Sequence, residues 1–228
     1  MSFSGLPTHL AVFAKYWESG AVKTRLGATL GHSVAATIHR EFVWEVLHRF
    51  RDTADRRTLV YWPPEKKREF REFIPSQWEL ACQSKGDLGT RLSDFLKLRF
   101  AEKQERIVVI GADSPDLPEE SLVEAFQLLN EHTVVVGPAL DGGYYLVGQN
   151  SYRPIFHDIA WSTKSVFSQT VDQLQKQGID FAQLNPWEDV DDWPSLLSLQ
   201  RRLRENSADP RQLRLAEFLQ AILSSVVT

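Results

Sequence analysis

Apolar runs alternate with helical stripes along the chain, and this pattern predicts alternating strands and helices. Residues 9–14 form a short apolar strand, and apolar residues at helical spacing follow over residues 32–51. Residues 107–110 (IVVI) form the continuous apolar run expected of a central parallel strand covered on both faces. The other predicted strands are 58–62, 78–83, 133–138, the segment after 142, and 179–184; the other predicted helices are 65–74, 86–102, 118–130, 162–178, 194–204 and 210–226. The sequence therefore predicts an α/β fold with a mostly parallel sheet flanked by helices, and one domain over residues 1–228.

Carboxylates follow the central strand at the point where it ends. Gly111 and Ala112 have little side-chain bulk, and Asp113 comes directly after them. In open α/β sheets, ligands bind at this edge, and a carboxylate there can hold Mg²⁺ against a substrate phosphate. Asp113 is therefore predicted to be functional. Asp116 is instead predicted to be the N-cap of helix 118–130.

A basic loop follows the first strand and carries Lys15, Lys23 and Arg25. Cations placed after a strand and beside glycines suit an anion such as a triphosphate. The alternative is a solvated loop, as for most surface lysines and arginines. The spacing of a P-loop is absent.

Two glycine-containing segments are further candidates for ligand binding. Gly86, Asp87, Gly89 and Thr90 stand at the start of helix 86–102, where backbone N–H groups attract anions or carbonyl oxygens. Asp87 also has the simpler role of an N-cap.

The second segment contains Asp141, Gly142, Gly143, Tyr144 and Tyr145. Asp-Gly predicts a tight turn, and a hairpin leading into a strand is the simplest interpretation. Two glycines followed by two tyrosines are also suited to a tight floor with aromatic walls around a small substrate.

Composition narrows the class of protein. The net charge of −4 gives no sign of a nucleic-acid surface. The single cysteine, Cys82, excludes an intramolecular disulfide and is predicted to be a small buried residue in a strand. Residues 1–17 lack the features of a signal peptide, and no apolar run approaches membrane-spanning length, so we expect a cytoplasmic protein with no membrane partner.

The order of the motifs resembles a known family. K-x(7)-K-T-R-L, G-D-L-G-x-R-L, G-x-D-x-P-D-L, G-P-A-x-D-G-G-Y-Y-L-x-G, W-S-T and D-V-D follow one another over roughly residues 10–195. This series is similar to the GT-A-fold proteins described as radical-SAM/selenodomain-associated transferases or glycosyltransferases. Those proteins are similar to 2-phospholactate guanylyltransferase and, more distantly, to molybdenum-cofactor guanylyltransferase and sugar-1-phosphate nucleotidyltransferases.

The resemblance implies a role for each matching position. Lys15, Lys23 and Arg25 would hold nucleotide phosphates, and residues 86–90 would lie near the base and ribose. Asp113 would be the first ligand of Mg²⁺ or Mn²⁺, and Asp191 the second. Residues 141–145 would contact a small-molecule acceptor. One departure from the family is the first loop. Related chains have a proline- and glycine-rich phosphate loop there, whereas this chain has residues 16–20 (YWESG), in which Glu18 disfavours a polyphosphate.

The predicted chemistry is metal-dependent transfer from a nucleoside triphosphate or a nucleotide sugar. In nucleotidyl transfer an acceptor phosphate attacks the donor's α-phosphorus, whereas in glycosyl transfer a hydroxyl attacks the sugar carbon. An inverting glycosyl transfer would need a general base, for which Asp141 or Asp189 are candidates. A nucleotide-binding protein without catalysis and a metal-dependent phosphatase are the alternatives.

Overall fold

A computed structural model describes residues 5–205 and 210–226 of the chain. Its strands are β1 (Thr8–Lys15), β2 (Arg56–Trp62), β3 (Glu79–Cys82), β4 (Arg106–Ile110), β5 (Val134–Pro138), β6 (Tyr144–Gln149) and β7 (Phe181–Gln183). They form one seven-stranded sheet in the order β3-β2-β1-β4-β6-β5-β7. Strand β6 is antiparallel to its neighbours β4 and β5, and the other described strand pairs are parallel. The predicted α/β fold with a mostly parallel sheet is confirmed.

Helices cover both faces of the sheet. They are α1 (Thr24–Leu30), α2 (His32–Arg49), α3 (Lys67–Phe73), α4 (Leu88–Glu102), α5 (Glu119–Leu128), α6 (Val166–Lys176), α7 (Trp193–Glu205) and α8 (Pro210–Val226), with a 3-10 turn at Pro64–Lys66 before α3. Alternate residues of β4 point to opposite faces: Val108 packs in the cluster that includes α2 and α5, and Val109 in the cluster that includes α4. The continuous apolar run of β4 is therefore explained by burial on both sides.

A third apolar cluster joins α2 to the C-terminal helices. Leu26 of α1, Phe42 of α2 and Leu199 of α7 are buried together with residues of α8. The helix α2 is thus held between the sheet and α7–α8. Among the described residues, none of the helices combines the length and the hydropathy that a membrane crossing requires.

Two predictions about helix starts are wrong. Helix α5 begins at Glu119 after Pro118, and no side chain caps it, because the Asp116 carboxylate is buried in an ion pair with Arg202. Helix α6 begins at Val166 after Ser165, and Ser162 lies upstream with a φ of 63°, in the left-handed region. The sequence pattern identified a polar residue before each helix, but Asp116 is paired with Arg202 and Ser162 lies three residues before Ser165, the residue that precedes α6.

The structure also decides three simpler predictions. Cys82 is exposed and not buried, because β3 is an edge strand of the sheet. Asp87 is an N-cap as predicted: the Thr90 backbone N–H donates to the Asp87 carboxylate at 2.8 Å. The predicted hairpin is confirmed as the connection between the antiparallel strands β5 and β6.

Candidate active site

A cavity of about 630 Å³ lies at the carboxyl ends of β1 and β4. These two strands are parallel neighbours, so the segments that follow them leave the sheet side by side. The cavity brings together most of the residues singled out from the sequence. The lining includes Lys15, Lys23, Gly86, Asp87, Asp113, Tyr144, Tyr145 and Asp191. Of the predicted site residues, Arg25, Gly89, Thr90, Asp141, Gly142 and Gly143 do not line it.

Two carboxylates converge on the ammonium group of Lys23. The Lys23 Nζ forms ion pairs with the Asp113 Oδ1 and, at 2.9 Å, with the Asp191 Oδ1. It also donates to the backbone carbonyl oxygen of Val190 at 2.5 Å. Asp113 and Asp191 are 78 positions apart in sequence, so this convergence is a property of the fold. The carboxylates remain accessible, since their side chains are 43% and 36% exposed.

Backbone hydrogen bonds hold the two acidic segments together. The Val190 backbone N–H donates to the carbonyl oxygen of Asp113 at 2.9 Å. At the start of α7, the backbone N–H of Asp191 donates to the Ser195 hydroxyl at 3.1 Å, and the Ser195 N–H donates to the Asp192 carboxylate at 3.1 Å. These two hydrogen bonds fix the backbone of Asp191 against the first turn of α7.

Charge complementarity changes the proton affinities of the central groups. Burial alone would lower the pKa of Lys23, but the charges of Asp113 and Asp191 outweigh burial and raise it above its usual value. Burial alone would raise the pKa of Asp113, but the Lys23 ammonium outweighs burial and lowers it. The Lys23–Asp113 pair is therefore ionised.

A third carboxylate lies beside this pair. Asp189 lines the cavity and accepts a hydrogen bond from the Ser114 hydroxyl. Its burial, together with the charge of Asp113, raises the pKa of Asp189 to about 7. Of the two candidate bases, Asp189 therefore lines the cavity and Asp141 does not.

His39 of α2 is a site residue that the sequence did not indicate. Its Nε2 is 3.1 Å from the Lys15 carbonyl oxygen, and its Nδ1 is 3.8 Å from the Asp113 Oδ1. Burial lowers the pKa of His39, which favours the neutral ring. His39 falls on the apolar stripe of α2, where a lone histidine carries no signal in the sequence.

The basic residues of the first loop are placed differently from one another. Lys23 is buried between the carboxylates, Lys15 is exposed at the end of β1, and the Arg25 side chain is 67% exposed with its Nη2 3.7 Å from the Asp191 Oδ2. Of these three basic residues, Lys15 and Arg25 are therefore the accessible ones. Tyr16 and Trp17 stack on each other at 4.7 Å between ring centroids and both contact Phe70, so this loop is anchored on α3.

The start of α4 forms another wall of the cavity. The Arg91 guanidinium lies over the Trp62 ring at 4.7 Å, donates to the Gly86 carbonyl oxygen at 2.9 Å, and donates to the Gln83 side chain at 3.1 Å. Gly89 permits close packing, since a Cβ there would lie 2.6 Å from the Trp161 Nε1. Gly89 and Thr90 thus shape the helix start, whereas Gly86 and Asp87 face the cavity.

The segment 141–145 is divided between a turn and the cavity. Asp141 is exposed, and its carboxylate accepts from the Gly143 N–H at 2.9 Å. Gly142 has a φ of 94°, and a Cβ there would lie 2.2 Å from the Lys164 carbonyl oxygen. These residues have conformational reasons to be present. Tyr144 packs edge-on against Trp161, and the Tyr145 hydroxyl donates to the Asn185 carbonyl oxygen at 3.0 Å.

We expect Asp141→Asn to change the rate of turnover by no more than about threefold, because Asp141 does not line the cavity. Loss of a general base would instead typically cost 10²–10⁴-fold. The asparagine side-chain oxygen can still accept from the Gly143 N–H and keep the turn. Steady-state rates of the variant and the wild type give the comparison. A loss of about a hundredfold or more would establish the catalytic role predicted from the sequence.

The chemistry of the donor set fits a divalent metal ion. Across residues 5–205 and 210–226, no group of three or more His, Cys, Asp or Glu side chains is arranged to hold a metal ion. The Lys23 ammonium, however, shows that oxygens of Asp113 and Asp191 already converge on one cationic centre. Mg²⁺ is commonly bound by one or two carboxylates together with water and substrate phosphate oxygens. Asp113 and Asp191 would be those carboxylates.

Solved structures share this fold over most of the chain. A "putative nucleotide-diphospho-sugar transferase" from Desulfovibrio desulfuricans G20 is 30% identical, with 96% of this chain and 97% of that chain covered and a TM-score of 0.85. The T. maritima inositol-1-phosphate CTP transferase is 12% identical, covering 96% and 98% of the two chains with a TM-score of 0.53. The 4-diphosphocytidyl-2C-methyl-D-erythritol synthase of Anaerococcus prevotii DSM 20548 is 9% identical, covering 88% and 100% with a TM-score of 0.57. The last two show the fold alone.

The family follows from a match to the sequence itself. No curated protein matches the chain. Residues 46–163 match the model of a family described as "Uncharacterized protein conserved in bacteria (DUF2064)". This match spans α4, β4 and the hairpin, including Asp113 and residues 141–145. Because it covers more than half of the 228 residues, the chain belongs to the DUF2064 family.

Proposed function

We propose that this protein is a divalent-metal-dependent transferase that moves a nucleotidyl or glycosyl group from a nucleotide-activated donor to a small acceptor. The observation that carries the proposal is the convergence of Asp113 and Asp191 on one cationic position in a cavity of about 630 Å³. The similarity at 30% identity to a protein described as a "putative nucleotide-diphospho-sugar transferase" supports the same class of reaction. We also propose that residues 1–228 form one domain, since the sheet draws strands from residue 8 to residue 183.

Each group in the site has a task in such a reaction. Mg²⁺ or Mn²⁺ held by Asp113 and Asp191 would supply charge neutralisation for the donor phosphates. Lys15 and Arg25, the accessible cations, would bind the outer phosphate oxygens. Gly86, Asp87 and Arg91 would form the wall beside the nucleoside. Tyr144 would face the acceptor.

The two reactions differ in their need for a base. An acceptor phosphate is already ionised, so nucleotidyl transfer needs no proton acceptor. A hydroxyl acceptor needs one, and Asp189, whose carboxylate accepts a hydrogen bond from the Ser114 hydroxyl, would take that role. The presence of Asp189 in the cavity is the observation that keeps glycosyl transfer as a second candidate.

A donor panel separates these reactions and tests the proposal. The four nucleoside triphosphates and a set of nucleotide sugars are first tested by thermal shift with and without Mg²⁺. Donors that stabilise the protein are then incubated with phosphorylated and hydroxylated small acceptors. Release of pyrophosphate indicates nucleotidyl transfer, and release of a nucleoside diphosphate indicates glycosyl transfer. Binding without turnover would indicate a nucleotide-binding protein, and release of inorganic phosphate without an acceptor would indicate a phosphatase.

The cytoplasmic location and the absence of nucleic-acid and membrane partners stay predictions from the sequence.

A further inference from the structure

The Lys23 side chain occupies the position that a metal ion would need. Its Nζ is in contact with the Asp113 Oδ1, is 2.9 Å from the Asp191 Oδ1, and is 2.5 Å from the Val190 carbonyl oxygen. A Mg²⁺ ion bound to the same two carboxylate oxygens would lie about 2.0–2.1 Å from each of them. An ion placed between these two oxygens on the side of the ammonium group would overlap with it.

The Lys23 side chain is enclosed in this position. It is 2% exposed, and its Nζ lies 5.7 Å from the centroid of the Phe42 ring. Its backbone φ of 46° is in the left-handed region at the residue before α1, a conformation that carries a cost for a residue with a Cβ. The backbone just before Lys23 belongs to the first loop, in which residues 18–21 are exposed. Val22, between that stretch and Lys23, is buried, so Lys23 would leave the site by rotation about the bonds of its own flexible side chain.

We infer that Lys23 and a divalent metal ion compete for the position between Asp113 and Asp191, so that tight metal binding requires a donor phosphate to draw Lys23 away. This inference rests on the proposed function for the identity of the phosphate ligand. Lys23 gives up its ion pairs with Asp113 and Asp191 when it leaves this position, and another anion can replace them. The phosphates of a donor, bound beside Lys15 and Arg25, would provide one. Metal and donor would then bind cooperatively, because each removes an obstacle to the other.

The decisive measurement is the affinity for Mn²⁺ alone, in the absence of nucleotide, by calorimetry and by electron paramagnetic resonance. Lys23→Met removes the competing ammonium and keeps an unbranched side chain. We expect this variant to bind Mn²⁺ at least about tenfold more tightly than the wild type, since it loses charge-assisted contacts that the metal must otherwise displace. Adding Asp191→Asn to Lys23→Met should abolish the gain.

Lys15→Met is the matched control for the effect of net charge. Lys15 lines the same cavity and acts on Asp113 only through its charge. Its removal should change Mn²⁺ affinity by less than about threefold, because interactions between separated, solvent-exposed charges are weak. Circular dichroism checks the fold of every variant. If Lys23→Met does not fold, Lys23→Gln makes the same test with an uncharged side chain that can still donate to the carboxylates.

Two results would overturn the inference. One is an affinity of folded Lys23→Met or Lys23→Gln for Mn²⁺ that is equal to or below that of the wild type. The other is an equal gain in Lys15→Met, which would show a general charge effect. These outcomes do not depend on nucleotide binding. If the donor panel finds no ligand but Lys23→Met still gains at least about tenfold over Lys15→Met, competition stands and only the proposed function fails.

Discussion

Asp113→Asn is expected to lower the rate of transfer by about a hundred- to a thousandfold, the range seen when one preorganised electrostatic contact to a transition state is removed. The asparagine has the same shape but no charge, so it can no longer neutralise a bound cation. The Lys23 ammonium keeps two of its contacts, to the Asp191 carboxylate and the Val190 carbonyl oxygen. Turnover at saturating donor is the measurement, with an unfolding curve to confirm that the variant is folded.

Asp172→Asn provides the matched control for this change. Asp172 lies on the exposed surface of α6 and does not line the cavity, so the same loss of one negative charge should leave turnover unchanged. If Asp113→Asn keeps more than about a tenth of the wild-type rate, the assignment of Asp113 as a metal ligand is wrong.

Asp116→Ala is expected to lower the free energy of unfolding by about 3–5 kcal/mol, the cost of removing one partner of a buried ion pair. The Asp116 side chain is 4% exposed, and its Oδ2 accepts from the Arg202 Nε at 2.6 Å. Arg202 also pairs with Glu188 and thereby ties the segment after β4 to the segment before Asp191. Loss of Asp116 would leave Arg202 with one of its two carboxylate partners. Urea unfolding of the variant and the wild type gives the comparison.

Glu72→Ala is the control for a pair that is exposed. The Arg68–Glu72 pair has an N–O distance of 2.9 Å, but its side chains are 86% and 64% exposed. Its loss should cost no more than about 0.5 kcal/mol. A loss of only about 1 kcal/mol for Asp116→Ala would instead match the cost of removing a helix cap. That result would restore the role predicted from the sequence.

The fold class was accessible from the sequence because burial leaves a periodic trace. The apolar run of residues 107–110 requires cover on both faces, and the alternation with helical stripes leaves a mostly parallel sheet as the consistent arrangement. Hydrogen bonds between residues close in sequence could also be predicted: the Asp87 carboxylate caps its own helix by accepting from the backbone N–H three residues away. A functional role could be predicted for Asp113 because a carboxylate after Gly-Ala at a strand end has no evident role in local structure, such as capping a helix.

Side-chain contacts between residues distant in sequence could not be predicted from the sequence. Asp116 carries the local signature of a helix cap, yet Arg202, 86 positions away, takes its carboxylate. Likewise, His39 has no signal on its apolar helix face until β1 and Asp113 are placed beside it. The pattern of neighbouring residues cannot show which charged group, distant in sequence, pairs with a given side chain.

The sequence by itself determined the α/β architecture, the edge of the sheet at which the candidate site lies and the residue types gathered there. Only the tertiary structure decided how they are connected: Lys23, a predicted phosphate ligand, lies between Asp113 and Asp191, whereas Asp141 and the two glycines after it form a turn away from the cavity lining. The physical reason is that secondary structure follows from contacts within a few residues. The electrostatic state of a site follows from charges that chain folding brings together.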